Sequence, residues 1–160
     1  MQQHAPSGVV LDTNLLVLFL IGRTRRGLIA SHKRLAAFTE RDYDALEEIV
    51  GRFQIVATTP NVLTEMSNLC DGLTGEDKNK YLAAAINHVN IVDEQYVPSR
   101  DVIASIAFSQ FGLSDAVLSE IAVRHFLILT VDGSLYHFLM TLSLPVLNFN
   151  HLRTAYWAQE

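Results

Sequence analysis

The sequence predicts a single α/β domain, with a central parallel sheet of about four to five strands flanked by helices. Three observations predict it. The 160 residues suit one domain with a substantial core. Hydrophobic residues make up 49% of the chain against 18% charged, which fits a sheet covered on both faces and excludes a largely disordered chain. Short β-branched apolar runs alternate with longer amphipathic stretches, the pattern of strands joined by helical crossovers.

Residues 1–7 are polar, lack a signal-peptide pattern and read as a flexible N-terminus. Gly8-Val9-Val10-Leu11-Asp12-Thr13-Asn14 follows. Val9 to Leu11 is an apolar strand, Leu15 onward is a helix packed back on the sheet, and Asp12 is the junction. In open α/β sheets ligands bind outside the carboxyl ends of the strands, so a carboxylate there asks for a cation or a proton. The stretch from Arg23 to Arg34 then carries five of the twelve basic residues: Arg23, Arg25, Arg26, Lys33 and Arg34. Two readings stay open for it. It is either the solvated face of a helix pair, or an edge that contacts phosphates or a partner.

Thr39-Glu40-Arg41-Asp42 starts another helix, with Tyr43, Leu46, Ile49, Val50 and Phe53 at helical spacing and Gly51 at its end. Residues 54–58 read as a second buried strand. Thr59 caps and Pro60 opens the next helix, whose apolar stripe is Val62, Leu63, Met66, Leu69 and Cys70. Glu65 lies near the edge of that stripe, where a surface role is the ordinary explanation of an acid. After a break at 71–75 a helix runs to about His88, residues 90–92 form a short strand, and Ser99 caps a helix carrying Val102, Ile103, Ile106, Ala107 and Phe108.

Ser114 reads as an N-cap that puts Asp115 in the first turn of a helix, where the dipole alone favours an acid. Phe126 to Val131 repeats the opening layout, an apolar strand ending in Asp132, and a helix follows from Ser134 to Leu142. Residues 145–147 form a last short strand. Residues 150–160 read as a terminal tail in which Tyr156 and Trp157 either pack on the core or form a partner patch, so the domain proper spans 8–149.

The net charge of −5 argues against wholesale binding to nucleic acid, though not against a local basic patch. With Cys70 as the one cysteine there is no intrachain disulfide and no cysteine-based metal site, which suits a reducing cytoplasm; the thiol itself reads as a small core hydrophobe. The longest apolar run near the N-terminus, Leu15 to Ile21, is far short of the ~20 residues of a membrane span. The chain therefore reads as cytoplasmic, with no membrane partner.

Four acids have positions from which they can meet. Asp12 and Asp132 end parallel strands and share the carboxyl edge, and Glu65 lies in the first turns of a helix that starts there. Asp115 joins them if its helix begins at that edge after a tight break at Gly112. Two carboxylates about 4 Å apart repel by on the order of 4 kcal/mol at an effective dielectric near ~20, so such a group needs protons or a cation. Hard oxygen ligands select Mg²⁺ or Mn²⁺. None of the histidines, at 4, 32, 88, 125, 137 and 151, forms a metal-binding pair spacing, so each reads as surface or core.

Val9-Val10-Leu11-Asp12-Thr13-Asn14, Glu65, Leu113-Ser114-Asp115-Ala116 and Leu129-Thr130-Val131-Asp132, in that order over about residues 8–149, resemble the PIN domain family, in particular its VapC-like toxin ribonucleases. The resemblance implies a metal-dependent endoribonuclease that hydrolyses RNA phosphodiester bonds. It further implies the toxin of a toxin–antitoxin pair, forming a homodimer and blocked by a protein antitoxin. Asp12, Glu65, Asp115 and Asp132 would be its catalytic residues and hold Mg²⁺ or Mn²⁺. Thr13 and Asn14 would support the first acid, with Asn14 as its amide partner. Thr130 would bond a carboxylate or the scissile phosphate, while capping alone explains Ser114. The long Gly22 to Gly51 stretch and Gly133-Ser134 after the last acid depart from a minimal toxin, and bear on subfamily and RNA target. Two alternatives stand beside this reading. One is a catalytically inactive PIN-like RNA-binding or scaffold protein. The other is a phosphatase of the haloacid dehalogenase type, which wants a second acid two residues after the strand-end Asp, where this chain has Asn14.

Overall fold

Gly8–Leu11 forms β1, and all four of its residues are buried. Side chains along a strand alternate between faces, so complete burial means the sheet is covered on both sides. The structure, a computed structural model, describes residues 5–69 and 72–158; Cys70, and with it the expectation for its thiol, lies outside the described residues, as do most of the N-terminal segment and the last two residues. Val56–Thr58 (β2), Asp93–Glu94 (β3), Phe126–Thr130 (β4) and Val146–Asn148 (β5) join β1 in one parallel sheet of order β3-β2-β1-β4-β5. This is the α/β architecture that the alternation of apolar runs predicts.

The strand order reverses between β1 and β4, and a crevice at the carboxyl ends opens at such a reversal. Leu11 pairs with Leu129 in the register, so Asp12 and Thr130 leave the sheet side by side. The Asp12 N–H donates to Leu129 O at 3.0 Å, which extends the ladder one step past the strand.

The helices around the sheet are Thr13–Thr24 (α1), Glu40–Gly51 (α2), Pro60–Asn68 (α3), Gly75–Ile91 (α4), Ser99–Val102 (α5), Ile106–Phe111 (α6), Leu113–Val123 (α7), Gly133–Thr141 (α8) and Phe149–Trp157 (α9). α1 is buried at every residue from Leu15 to Gly22, as its all-round apolar sequence requires. It packs against α2, α3 and α4. A Cβ at Gly22 would stand 2.1 Å from a Tyr43 ring carbon, so glycine is what lets α1 and α2 close at this point. α2 starts on a capping box between Thr39 and Asp42, and α3 on the Thr59 cap with Pro60 in its first turn.

Several expectations from the sequence are corrected. Between α1 and α2 there is no helix pair but two 3-10 turns, Arg26–Leu28 and Lys33–Leu35. The two turns bury Leu28 and Leu35, and the segment around them adds Ile29, His32 and Phe38 to the buried side. Residues 90–92 are not a strand: α4 runs on to Ile91, the Val92 N–H returns to His88 O at 3.1 Å, and β3 is confined to the two residues after it. The helix expected from Ser99 is two helices, because Ser105 Oγ takes the Phe108 N–H at 3.0 Å and caps a second start. Residues 150–160 are not simply a tail. Asn148 caps α9, Phe149 is fully buried, and α9 packs against α2. Among the described residues no helix is long and apolar enough to cross a membrane.

Candidate functional site

Asp12 is the N-cap of α1, and each of its carboxylate oxygens is engaged. Oδ1 accepts the Leu15 N–H at 2.8 Å; Oδ2 accepts the Thr130 hydroxyl at 2.6 Å and the Val131 N–H at 2.8 Å. Thr130 Oγ1 in turn accepts the Asp132 N–H at 2.9 Å. Asp132 caps α8 with Oδ1 alone, which takes the Ser134 and Leu135 N–H groups at 2.7 and 3.0 Å. The two strand-to-helix junctions are thus one unit, joined through a buried threonine hydroxyl.

Glu65 reaches the same edge from α3. Its Oε2 accepts the Thr13 hydroxyl at 2.7 Å and its Oε1 accepts the Ser114 hydroxyl, so a single carboxylate ties the starts of α1 and α7 together. Thr13 therefore supports Glu65 rather than Asp12, and Asn14 donates no described hydrogen bond to Asp12 although it lines the same cavity. Ser114 is not the N-cap of α7. Gly112, at φ +88°, makes the break and holds that position, which frees the serine hydroxyl for Glu65 and leaves Asp115 in the first turn.

All four acids line one cavity of about 350 Å³, with Thr13, Asn14, Thr130, Asn68 and Arg34 on its walls. Among the described residues no three His, Cys, Asp or Glu side chains are grouped so as to hold a metal ion as they stand. The donor chemistry nevertheless fits a hard divalent cation. The Asp115 carboxylate and Asp132 Oδ2 accept no hydrogen bond among the described residues. Burial pushes the Asp115 carboxyl up to about 7, with the charges of Asp132, Asp12 and Glu65 adding to the effect. Burial also raises Asp12, against the lowering effect of the Thr130 hydroxyl and the Leu15 and Val131 N–H groups. A half-buried carboxylate repelled by three others and offered no donor is short of a positive charge.

This has a consequence for stability. Between the ordinary 3.8 and about 7 the folded chain keeps a proton on Asp115 that the unfolded chain releases. Stability is therefore greatest below that window and falls as the pH rises through it. In metal-free buffer the urea midpoint is expected to drop between about pH 4 and pH 7, and Asp115→Asn to flatten that drop; parallel curves for the two proteins would refute the assignment.

The basic cluster does not act as a block. Arg25 bonds Asp77 through two nitrogens at 3.3 and 2.8 Å, Arg26 pairs with Asp44 at 2.7 Å, and Arg23 lies 3.8 Å from Glu47 and over the Phe19 ring. These three hold neighbouring helices together on the surface. Lys33 faces a separate cavity that it shares with His32, Thr74 and Asp77. Only Arg34 lines the cavity of the four acids. Sequence reasoning missed Asn68, one turn beyond Glu65 on α3 and so on its face of the helix, a spacing that marks it once Glu65 is placed. It also missed the Val131 N–H, which as a backbone donor leaves no mark in the sequence. Of the histidines, His88 is buried against the Phe19 ring and burial lowers it to about 4, while His125, His137 and His151 are exposed and away from the cavity.

No model of a known protein family matches the chain, and no curated protein matches its sequence.

Proposed function

We propose that this protein is a metal-dependent endoribonuclease of the PIN type, hydrolysing RNA phosphodiester bonds as the toxin of a toxin–antitoxin pair. One observation carries the reading. Carboxylates from four separate segments, Asp12, Glu65, Asp115 and Asp132, line a single cavity at the strand-order reversal, and Asp115 there lacks a counter-charge. Asp12, Asp115 and Asp132 would hold Mg²⁺ or Mn²⁺, with Glu65 completing the acidic wall. A bound ion of this kind polarises a phosphoryl oxygen and makes water a competent nucleophile. The chain's own residues supply the rest. Thr130 keeps the Asp12 carboxylate fixed and ionisable by donating to it in a site that otherwise favours its neutral form. Thr13 and Ser114 fix Glu65, and the two helix N-termini behind Asp12 and Asp132 hold those carboxylates by backbone N–H groups.

The proposed partners are RNA, a protein antitoxin and a second copy of the chain. Leu82, Ile86 and Val89 form an exposed apolar stripe on α4, the kind of surface that protein partners cover. One observation favours the alternative of a PIN-like scaffold that does not cut: the Glu65 and Asp12 oxygens are already engaged by protein donors.

Metal-dependent stabilisation separates the two. Mn²⁺ at about a hundred times its dissociation constant should stabilise the fold by about 2.7 kcal/mol, seen as a rise in Tm. The rise should be larger at about pH 8 than at about pH 5, because Asp115 must lose its proton to take the ion. The same Mn²⁺ should support cleavage of single-stranded RNA, and EDTA should stop it. A Tm that ignores Mn²⁺, with RNA left intact, rejects the nuclease.

A further inference from the structure

We infer that Arg34 is the side chain that takes the phosphate backbone of the polynucleotide at the acidic cavity; the inference rests on the nuclease reading and names the recognition element of the same site. The problem it answers is electrostatic. Four acids in a chain of net charge −5 repel a polyanion, and a divalent ion among them offsets only part of that charge, so a fixed positive group on the wall favours entry of a phosphodiester.

Among the described residues Arg34 is the one basic side chain that lines the cavity. Four carboxylates share that space, yet among the described residues its guanidinium makes no ion pair, hydrogen bond or ring contact. Its neighbours in sequence behave differently: Arg23, Arg25 and Arg26 are each paired with an acid of another helix. Arg34 is therefore exposed and free to meet a ligand. Its base is not free. The 3-10 turn that carries it is anchored by Leu35 and the nearby Ile29, both fully buried, and by His32 Nε2 against Leu69 O at 3.2 Å at the end of α3. Leu69 and Asn68 are themselves part of the cavity wall. A long side chain on a rigid base beside the amide of Asn68 suits a phosphate, because guanidinium presents paired N–H donors that match two phosphate oxygens.

The test compares wild type, Arg34→Ala, Arg34→Lys and Lys80→Ala. The last removes one positive charge from an exposed pair with Glu76 on α4, away from the cavity. Binding of a fluorescein-labelled single-stranded RNA of about ten nucleotides is followed by anisotropy in metal-free buffer between about 50 and 200 mM salt. KM and kcat for the same RNA are measured in Mn²⁺. Arg34→Ala should raise Kd and KM about tenfold with kcat little changed, and should reduce the salt slope by about one phosphate contact. Arg34→Lys should recover the slope but only part of the affinity, since an ammonium is a point charge. Lys80→Ala should keep the wild-type slope. If wild type cuts RNA and Arg34→Ala keeps its KM and slope, the inference is overturned and the nuclease reading stands. If wild type binds RNA through Arg34 without cutting it, the cutting part of the nuclease reading fails, while its RNA-contact part, on which the inference rests, stands. If wild type neither binds nor cuts, both are overturned.

Discussion

Asp132→Asn is expected to lower Mn²⁺-dependent RNA cleavage by at least about 10³-fold, some 4 kcal/mol of transition-state stabilisation, without lowering stability. The reason lies in how the carboxylate is shared. Only Oδ1 of Asp132 caps α8, and asparagine caps a helix as well as aspartate does. Among the described residues the other oxygen accepts no hydrogen bond, so its replacement by an amide breaks no contact of the fold and removes a charge that repels Asp115 and Asp12. Asp12→Asn should lose activity to the same degree but also destabilise the fold by about 1–2 kcal/mol. Both of its oxygens are acceptors, and an amide nitrogen in either place faces a donor: the Leu15 N–H on one side, the Val131 N–H on the other. Relief of burying a carboxylate offsets part of that loss, since burial already raises the Asp12 pKa. Cleavage of labelled RNA together with urea unfolding of both variants checks the pair. An Asp132→Asn protein that cuts as fast as wild type would remove the acid from the mechanism.

Arg153→Ala is expected to destabilise the protein by about 3–5 kcal/mol, because it strips the partner from a carboxylate with no solvent contact. Asp42 is fully buried, and its Oδ2 takes the Thr39 N–H at 2.7 Å and the Arg153 guanidinium at 3.3 Å. Arg153 also donates to Ala37 O at 2.8 Å and stacks over the Phe38 and Trp157 rings, so this side chain links α9 to α2 and to the segment before it. At about 2–4 °C per kcal/mol for a chain of this length, the Tm should fall by about 6–20 °C. The double variant Asp42→Asn, Arg153→Met should recover much of that loss, because no charge is then left buried. Differential scanning calorimetry decides it; a shift of under about 1 °C for Arg153→Ala would show that the pair carries no stability.

These variants also mark how far the site could be read beforehand. Asp12 and Asp132 stand out in the sequence because an apolar strand ending in an acid is a local pattern. The bond that unites them, Thr130 to Asp12, joins residues 118 positions apart and is not local at all. Glu65 is indistinguishable in sequence from a surface acid until Thr13 and Ser114 are seen donating to it. Ser114 itself looks like a cap, since serine before an acidic first turn is what a cap looks like; the backbone at Gly112 decides otherwise. Among the basic residues the sequence offers five alike, and only the positions of Asp77, Asp44 and Glu47 separate the three that are paired from Arg34.

What the sequence by itself determined is the set of local choices. It sets the apolar strands β1 and β4, the helix start at Thr39, the cap at Thr59, an α/β class, and two acids at the carboxyl edge of a parallel sheet. Each follows from interactions within a few residues, where propensity and periodicity act. Only the tertiary structure decided which strands are neighbours. β1 lies beside β4, so that Asp12 and Asp132 flank one crevice; α7 starts there with Asp115; and a 3-10 turn brings Arg34 to the wall. Those placements depend on burying both faces of the sheet at once and on pairings across more than a hundred residues, and no local window of the chain contains that balance.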